Sequence, residues 1–309
     1  MTDLERYILD EWTDDYHSGR LARREFLRRV TVFSGGVAAG LAVLVARGFA
    51  ASVDEVAEAA SSPAPLRAQA SAVTVPPDDP AIDAKMVSFP LGSTPIQAYL
   101  ALPRNRPKAS GVIVVHENRG LLEHFKDVCR RLAKTGYAGL AIDLVSPQGG
   151  TGKFTDSAEV STYLSRTPPA RHIEILNAGV GYLQGVPAVR GDRIGTMGFC
   201  FGGGMVWRFA TQNPDLRAAV PFYGPNPPLE DVAKIHAAVL ALYGSLDTFV
   251  NPGIAAMKSA LEKAGVTFEM HIYDGANHAF FNDTGAVYNA AAAKDAWART
   301  LAWFGRWLS

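Results

Sequence analysis

From residue 84 to the C-terminus, short apolar runs alternate with amphipathic stretches, and that alternation limits the possible folds more than any other feature of the chain. Strand-like runs occupy 84–89, 96–102, 111–116, 137–142, 193–199, 218–223, 239–243 and 268–273. Between the later ones, Phe125, Val128, Cys129, Leu132 and Ala133 share one helical face, and similar patterns cover 171–185, 203–212, 253–264 and 287–307. Strands apolar on both sides need cover on both sides. The expectation is therefore an α/β fold, with a mostly parallel eight-stranded sheet and helices on both faces. In such folds the chemistry gathers outside the carboxyl ends of the strands.

With 309 residues and 48% hydrophobic content, the chain can bury one large core and still carry an extension. Thirty basic residues balance thirty acidic ones, so no global field draws the molecule to nucleic acid. The only cysteines are Cys129 and Cys200, too few for a disulfide framework and without the spacing of a metal site. Cys129 faces the sheet in the helical pattern and reads as a small buried hydrophobe.

The N-terminus reads as an address. Residues 21–29 are LARREFLRR and lead into an apolar stretch from Val30 to Ala46. The pair Arg23-Arg24, followed by Phe26-Leu27, resembles a twin-arginine signal, which implies export to the periplasm by the twin-arginine machinery. An uncleaved membrane anchor is the alternative, although the apolar run falls short of the roughly 20 residues that span a bilayer. Small residues offer cleavage near Ala50-Ala51 or at Ala70-Ser71-Ala72. The expected organisation is an export signal over 1–51, an Ala/Ser/Pro-rich linker over 52–82 and a catalytic domain over 83–309.

Gly198-Phe199-Cys200-Phe201-Gly202-Gly203 sits where an apolar strand turns into a helix. A turn this sharp strains the residue at its tip and leaves no room for neighbouring side chains, so the flanking glycines mark Cys200 as a nucleophile. Two further apolar strands end just before Asp247 and His278. The order nucleophile, acid, histidine is that of the α/β-hydrolase fold. Asp274 is the rival acid, but Asp274-Gly275 reads as a turn former. No histidine stands at a metal-ligand spacing, and neither metal nor cofactor is expected.

These residues, with Val114 to Gly120, Tyr243 to Asp247 and Gly275 to Phe280, resemble the dienelactone hydrolase family over about residues 83–309. The resemblance implies that Glu117 holds the Cys200 proton in the resting enzyme; an ion pair of Glu117 with Arg119 or Arg171 is the alternative. It also implies an oxyanion hole from the backbone N–H groups of Phe201 and Asn118. One arginine that binds the substrate carboxylate in that family corresponds to Asn282 here, and its partner to a segment where Lys153 or Arg166 could substitute. Arg119, Tyr223, Phe249, Phe280 and Asn282 are the candidate substrate contacts, and the bulky aromatic residues suggest a less charged substrate. The glycine-rich 149–153 segment fails the phosphate-loop pattern and reads as a flexible lid.

On this reading His278, oriented by Asp247, takes the Cys200 proton, and the thiolate attacks a small-molecule ester or lactone to form a thioester. A thiolate leaves more readily than an alkoxide, so activated esters and enol lactones are expected substrates. A general carboxylesterase or acyl-transferring hydrolase is the runner-up. A non-catalytic ligand-binding member of the fold and a peroxide sensor are the alternatives of other classes.

Overall fold

The computed structural model describes residues 1–61 and 73–309. All eight expected strands form one sheet, in the order β1-β2-β4-β3-β5-β6-β7-β8. They are β1 Ile82–Leu91, β2 Thr94–Pro103, β3 Ala109–Val115, β4 Ala138–Ile142, β5 Val189–Phe199, β6 Ala218–Phe222, β7 Ala238–Gly244 and β8 Phe268–Tyr273. The sheet is mixed. β2 pairs antiparallel with both β1 and β4, whereas β3 to β8 pair in parallel. The β1–β2 link is too short for the crossover that parallel pairing requires. Every residue of β3, β4, β6 and β7 is buried, as a sheet covered on both faces demands.

Ten α-helices are present among the described residues: α1 Asp3–His17, α2 Arg23–Ser34, α3 Val37–Ala46, α4 Val53–Ala60, α5 Glu123–Lys134, α6 Ser157–Arg166, α7 Pro169–Gln184, α8 Phe201–Gln212, α9 Ile254–Ala264 and α10 Ala290–Trp307. The helices expected from periodicity are α5 and α7 to α10. Cys129 is fully buried on α5, and burial pushes its thiol pKa well up, so it acts as packing.

One region departs from expectation. The 149–153 segment is not a loose lid, because the Thr151 hydroxyl donates to Asp143 at 2.9 Å and accepts from the Leu121 N–H at 2.9 Å. Beyond it the chain forms α6, whose cap is the Asp156 carboxylate accepting from the Ala158 N–H.

The N-terminus, for which an export signal and a linker are expected, folds into α1 to α4. α1 begins with a reciprocal Thr2/Glu5 capping box and buries Leu4, Ile8, Leu9 and Trp12. Phe26, Leu27 and Val30 of α2 join the same continuous apolar core as the sheet. Arg28, 1% exposed, pairs with Glu25 at 2.8 Å and with Asp156 at the start of α6. The expected linker contains α4, capped by Ser52 and burying Val56 and Ala59; positions 62–72, with the Ala70-Ser71-Ala72 site, lie outside the described residues. No single described helix is long and apolar enough to cross a membrane, and α2 and α3 meet at a bend of 113°.

Candidate active site

The site lies beyond the carboxyl ends of β3, β5, β7 and β8. β5 delivers Cys200 at φ 56°, ψ −121°, and its N–H donates to the Phe222 carbonyl at 3.1 Å. A non-glycine residue in the left-handed half of backbone space is held there only by surrounding structure. The next turn explains the holding: a Cβ on Gly202 would come within 2.3 Å of the Val115 carbonyl oxygen and 2.4 Å of that of His116. α8 starts at Phe201, so its first unpaired N–H groups and positive end adjoin the sulfur.

β7 ends at Gly244, where a Cβ would stand 2.5 Å from the Ala276 carbonyl oxygen. The missing side chain lets the 245–247 and 273–278 loops run together, joined by the Ser245 N–H to Tyr273 and the Leu246 N–H to Ala276. That union brings the Asp247 carboxylate to 2.7 Å from Nδ1 of His278, while Asp247 also accepts from the Val250 N–H. The rival Asp274 meets only Ser245 at this edge and stays exposed. Phe249 and Tyr223 flank the imidazole, with ring centroids 4.7 and 5.0 Å away. Burial lowers the His278 pKa, but the charge and hydrogen bond of Asp247, with Glu11 and Glu117, outweigh it and raise it to about 9.

Cys200 lies within 4.8 Å of a ring nitrogen of His278 but forms no hydrogen bond with it or with Glu117. Its Sγ accepts from the Tyr7 hydroxyl at 3.3 Å and donates to Oε2 of Glu11 at 3.5 Å, both on α1. Nε2 of His278 is buried and has no protein hydrogen-bond partner. Burial, then the charges of Glu11 and Glu117, push the thiol pKa well up, against the opposing hydrogen bonds from Tyr7 and Phe201. Burial thus favours the neutral thiol form of Cys200.

Glu117 holds neither the thiol nor an arginine. It accepts from Nδ2 of Asn282 at 3.0 Å and from the Tyr223 hydroxyl at 3.5 Å, while Arg171 pairs with Glu174. The Asn118 side chain donates to Glu11 at 2.8 Å, and its carbonyl accepts from Ser161 of α6. Of the candidate substrate contacts, Arg119 and Asn282 line a cleft of about 240 Å³ next to Cys200 and His278. Tyr223 and Phe249 support the imidazole instead, and Phe280 packs beneath Tyr223 at 5.4 Å.

The cleft is charged rather than aromatic. Asp15, Arg20 and Arg29 of the N-terminal segment face Glu117 and Arg119 across it. Arg119 has a buried Nε without a partner, and burial together with nearby Arg29 lowers its pKa. Arg166 bonds to Phe33 and Glu5, and Lys153 is exposed, so neither enters the cleft.

Sequence reasoning missed Tyr7 and Glu11, although Leu4, Ile8 and Trp12 recur at helical spacing and could have revealed α1. The Glu11 carboxylate, the Cys200 sulfur and the His278 imidazole approach within 4.8 Å of one another, from sequence positions too distant for any spacing pattern to reveal.

Residues 96–308 match the family model described as the Dienelactone hydrolase family. A protein of Methylorubrum extorquens, named provisionally as a carboxymethylenebutenolidase, is 34% identical over 92% of this chain and 94% of its own. A relative from Escherichia coli strain K12, with the same provisional name, is 35% identical over 76% of this chain and 91% of its own. Among solved structures, a dienelactone hydrolase of Klebsiella pneumoniae, also so titled provisionally, superposes with TM-score 0.68 at 34% identity. It covers 73% of this chain and 99% of that one. A dienelactone hydrolase-like promiscuous phosphotriesterase from metagenomic libraries superposes with TM-score 0.68 at 26% identity, over 74% of this chain and 100% of its own.

Proposed function

Since this chain belongs to the dienelactone hydrolase family and is a hydrolase of that kind, we propose that it cleaves activated esters or enol lactones through a thioester on Cys200. The observation that carries this reading is the strained Cys200 elbow facing the same cleft as the His278 imidazole, which Asp247 holds at 2.7 Å. In the proposed cycle the thiolate attacks the carbonyl, and the developing oxyanion rests on backbone N–H groups at Phe201 and Asn118. His278, charged near neutrality, gives its proton to the departing oxygen and then draws one from the water that opens the thioester.

A thiolate is a far better leaving group than an alkoxide, so the first intermediate collapses forward only when the alcohol is itself a good leaving group or is protonated promptly. Enol lactones and aryl esters satisfy this. The cleft favours small substrates with a polar or anionic group that can meet Arg119.

A panel of nitrophenyl esters, enol lactones and ethyl esters, run on wild type and Cys200→Ala, tests the proposal. Activated substrates should turn over at least about 100-fold faster than ethyl esters, and Cys200→Ala should lose roughly a thousandfold or more. A burst experiment should show the acyl mass on the Cys200 peptide. Equal rates on ethyl and aryl esters, or undiminished turnover by Cys200→Ala, would refute the reading.

A further inference from the structure

We propose that residues 1–61 are a resident cap of the active site and that Glu11, on its first helix, holds the Cys200 thiol and takes its proton when substrate binds. The inference rests on the nucleophilic role of Cys200 given above.

The first support is contact. α1 places both side-chain partners of the sulfur, Tyr7 and Glu11, and Asn118 orients the Glu11 carboxylate from the loop after β3. The family resemblance gives this task to Glu117, but Glu117 is occupied by Asn282 and Tyr223. The second support is how firmly the cap is built in. The Tyr7 ring packs against Phe249 with centroids 5.5 Å apart, the buried Arg28 ties α2 to α6, and Thr248 beside Asp247 donates to Asp14. Removing residues 1–61 would leave the buried face of the catalytic domain, and the sulfur itself, open to water.

The leader-like motif has its own place in this arrangement. Arg23 pairs with Glu55 at 2.7 Å, and Phe26 and Leu27 lie in the core, so a receptor reading the arginine pair would have to undo that corner. Relatives divide accordingly. The Klebsiella chain is matched over 99% of its length by only 73% of this one, whereas the match with the Methylorubrum protein covers 92% of this chain and so extends into the first 61 residues.

The proton balance is direct. The Cys200 S–H bond breaks, and its proton forms an O–H bond on Glu11. The sulfur lone pair forms the C–S bond as the carbonyl π pair moves to oxygen. On collapse, the C–O bond breaks and the leaving oxygen takes the His278 proton. The thiol already donates to the Glu11 carboxylate at 3.5 Å, whereas Nε2 of His278 has no hydrogen-bond partner, so the carboxylate is the group placed to take the first proton. Glu11 is faced by Tyr7 and Asp15 from α1, by Glu117, Asn118 and Arg119 from the loop after β3, by Cys200, and by His278 with Asp247 behind it. Burial raises its pKa to about 7, Asp15 and Glu117 add to this, and the charge of His278 opposes it. A base poised near the working pH is the efficient one.

Iodoacetamide alkylation of full-length protein, followed by peptide mass at Cys200 across pH 5–10, reads the thiol without any substrate. In Glu11→Gln, which keeps an acceptor for Asn118, the alkylation midpoint should fall by about one unit or more, because a negative neighbour of the thiolate is gone. Hydrolysis by the same variant should drop roughly 100-fold and lose its rise near pH 7. Glu11→Asp should recover part of the rate, and Arg6→Gln, exposed on the same helix, should match wild type. Damage to packing would not move the two readouts in opposite directions. An alkylation profile of Glu11→Gln superimposed on wild type would overturn the assignment of Glu11, and enzyme recovered from its own host with 1–61 removed would overturn the resident cap. Turnover retained by Cys200→Ala would instead sink the hydrolytic reading, and alkylation would still report on Glu11.

Discussion

At the residue scale, the site is a contest between burial and charge. His278 shows this most clearly, since burial alone would keep it neutral and Asp247 reverses the outcome. In Asp247→Asn the charge that raises the imidazole is lost while burial persists, so the pKa should fall from about 9 to its ordinary value of 6.5 or below. Imidazole NMR titration would measure the shift, and turnover should fall by roughly two to four orders of magnitude as orientation and charge are lost together. A pKa remaining near 9 would mean that Glu11 and Glu117 carry the effect. The candidate site residues that could be read from sequence, Cys200, Asp247 and His278, are those that follow strand ends or sit in a glycine-rich turn. Glu11 carries no such local mark, since nothing adjacent in the chain distinguishes it from a surface acid.

At the scale of elements, the β5–α8 turn and the α1 helix govern how Cys200 is presented. The turn depends on Gly202, whose added Cβ would meet backbone oxygen on β3 at 2.3 Å, with no flexible atom to yield. Gly202→Ala should therefore destabilise the fold by about 3 kcal/mol or more, since overpacking against backbone cannot relax by a rotamer change. Chemical denaturation would give the value, and a loss under 1 kcal/mol would show that the elbow can shift. The central strands β3, β4, β6 and β7 were legible because burial on both faces writes continuous apolar runs. α6 was not, because its helix carries Ser157, Ser161, Thr162 and Ser165, which weaken any local helical signal.

At the scale of the whole molecule, the half-buried Glu11 and the buried His278 make stability fall with pH. Both have folded pKa values above their unfolded ones, about 7 against 4.5 and about 9 against 6.5. Their contribution is complete below the unfolded value and disappears as pH rises through the folded one. The opposite class is Asp283, for which burial raises the pKa but the bonds from His124 and Arg131 lower it, so its stability is lost as pH falls through its folded value. Melting temperature should thus decline between about pH 5 and 9, and Glu11→Gln should flatten the portion below pH 7. A wild-type profile level over that range would contradict the burial of these groups.

The division between what chain and fold decide is sharpest at the N-terminus. By itself the sequence determined the sheet, the elbow and the family, because periodicity and glycine placement act over a few residues and survive without context. It also presented an arginine pair before an apolar stretch, whose local pattern is that of a leader. Only the tertiary structure decided that Ile8, Leu9, Trp12, Phe26 and Leu27 have a core to enter, and that Glu11 ends 3.5 Å from a sulfur 189 positions away. An amphipathic face shows that a helix must pack somewhere, but its partner is chosen by the surface that the rest of the chain leaves open.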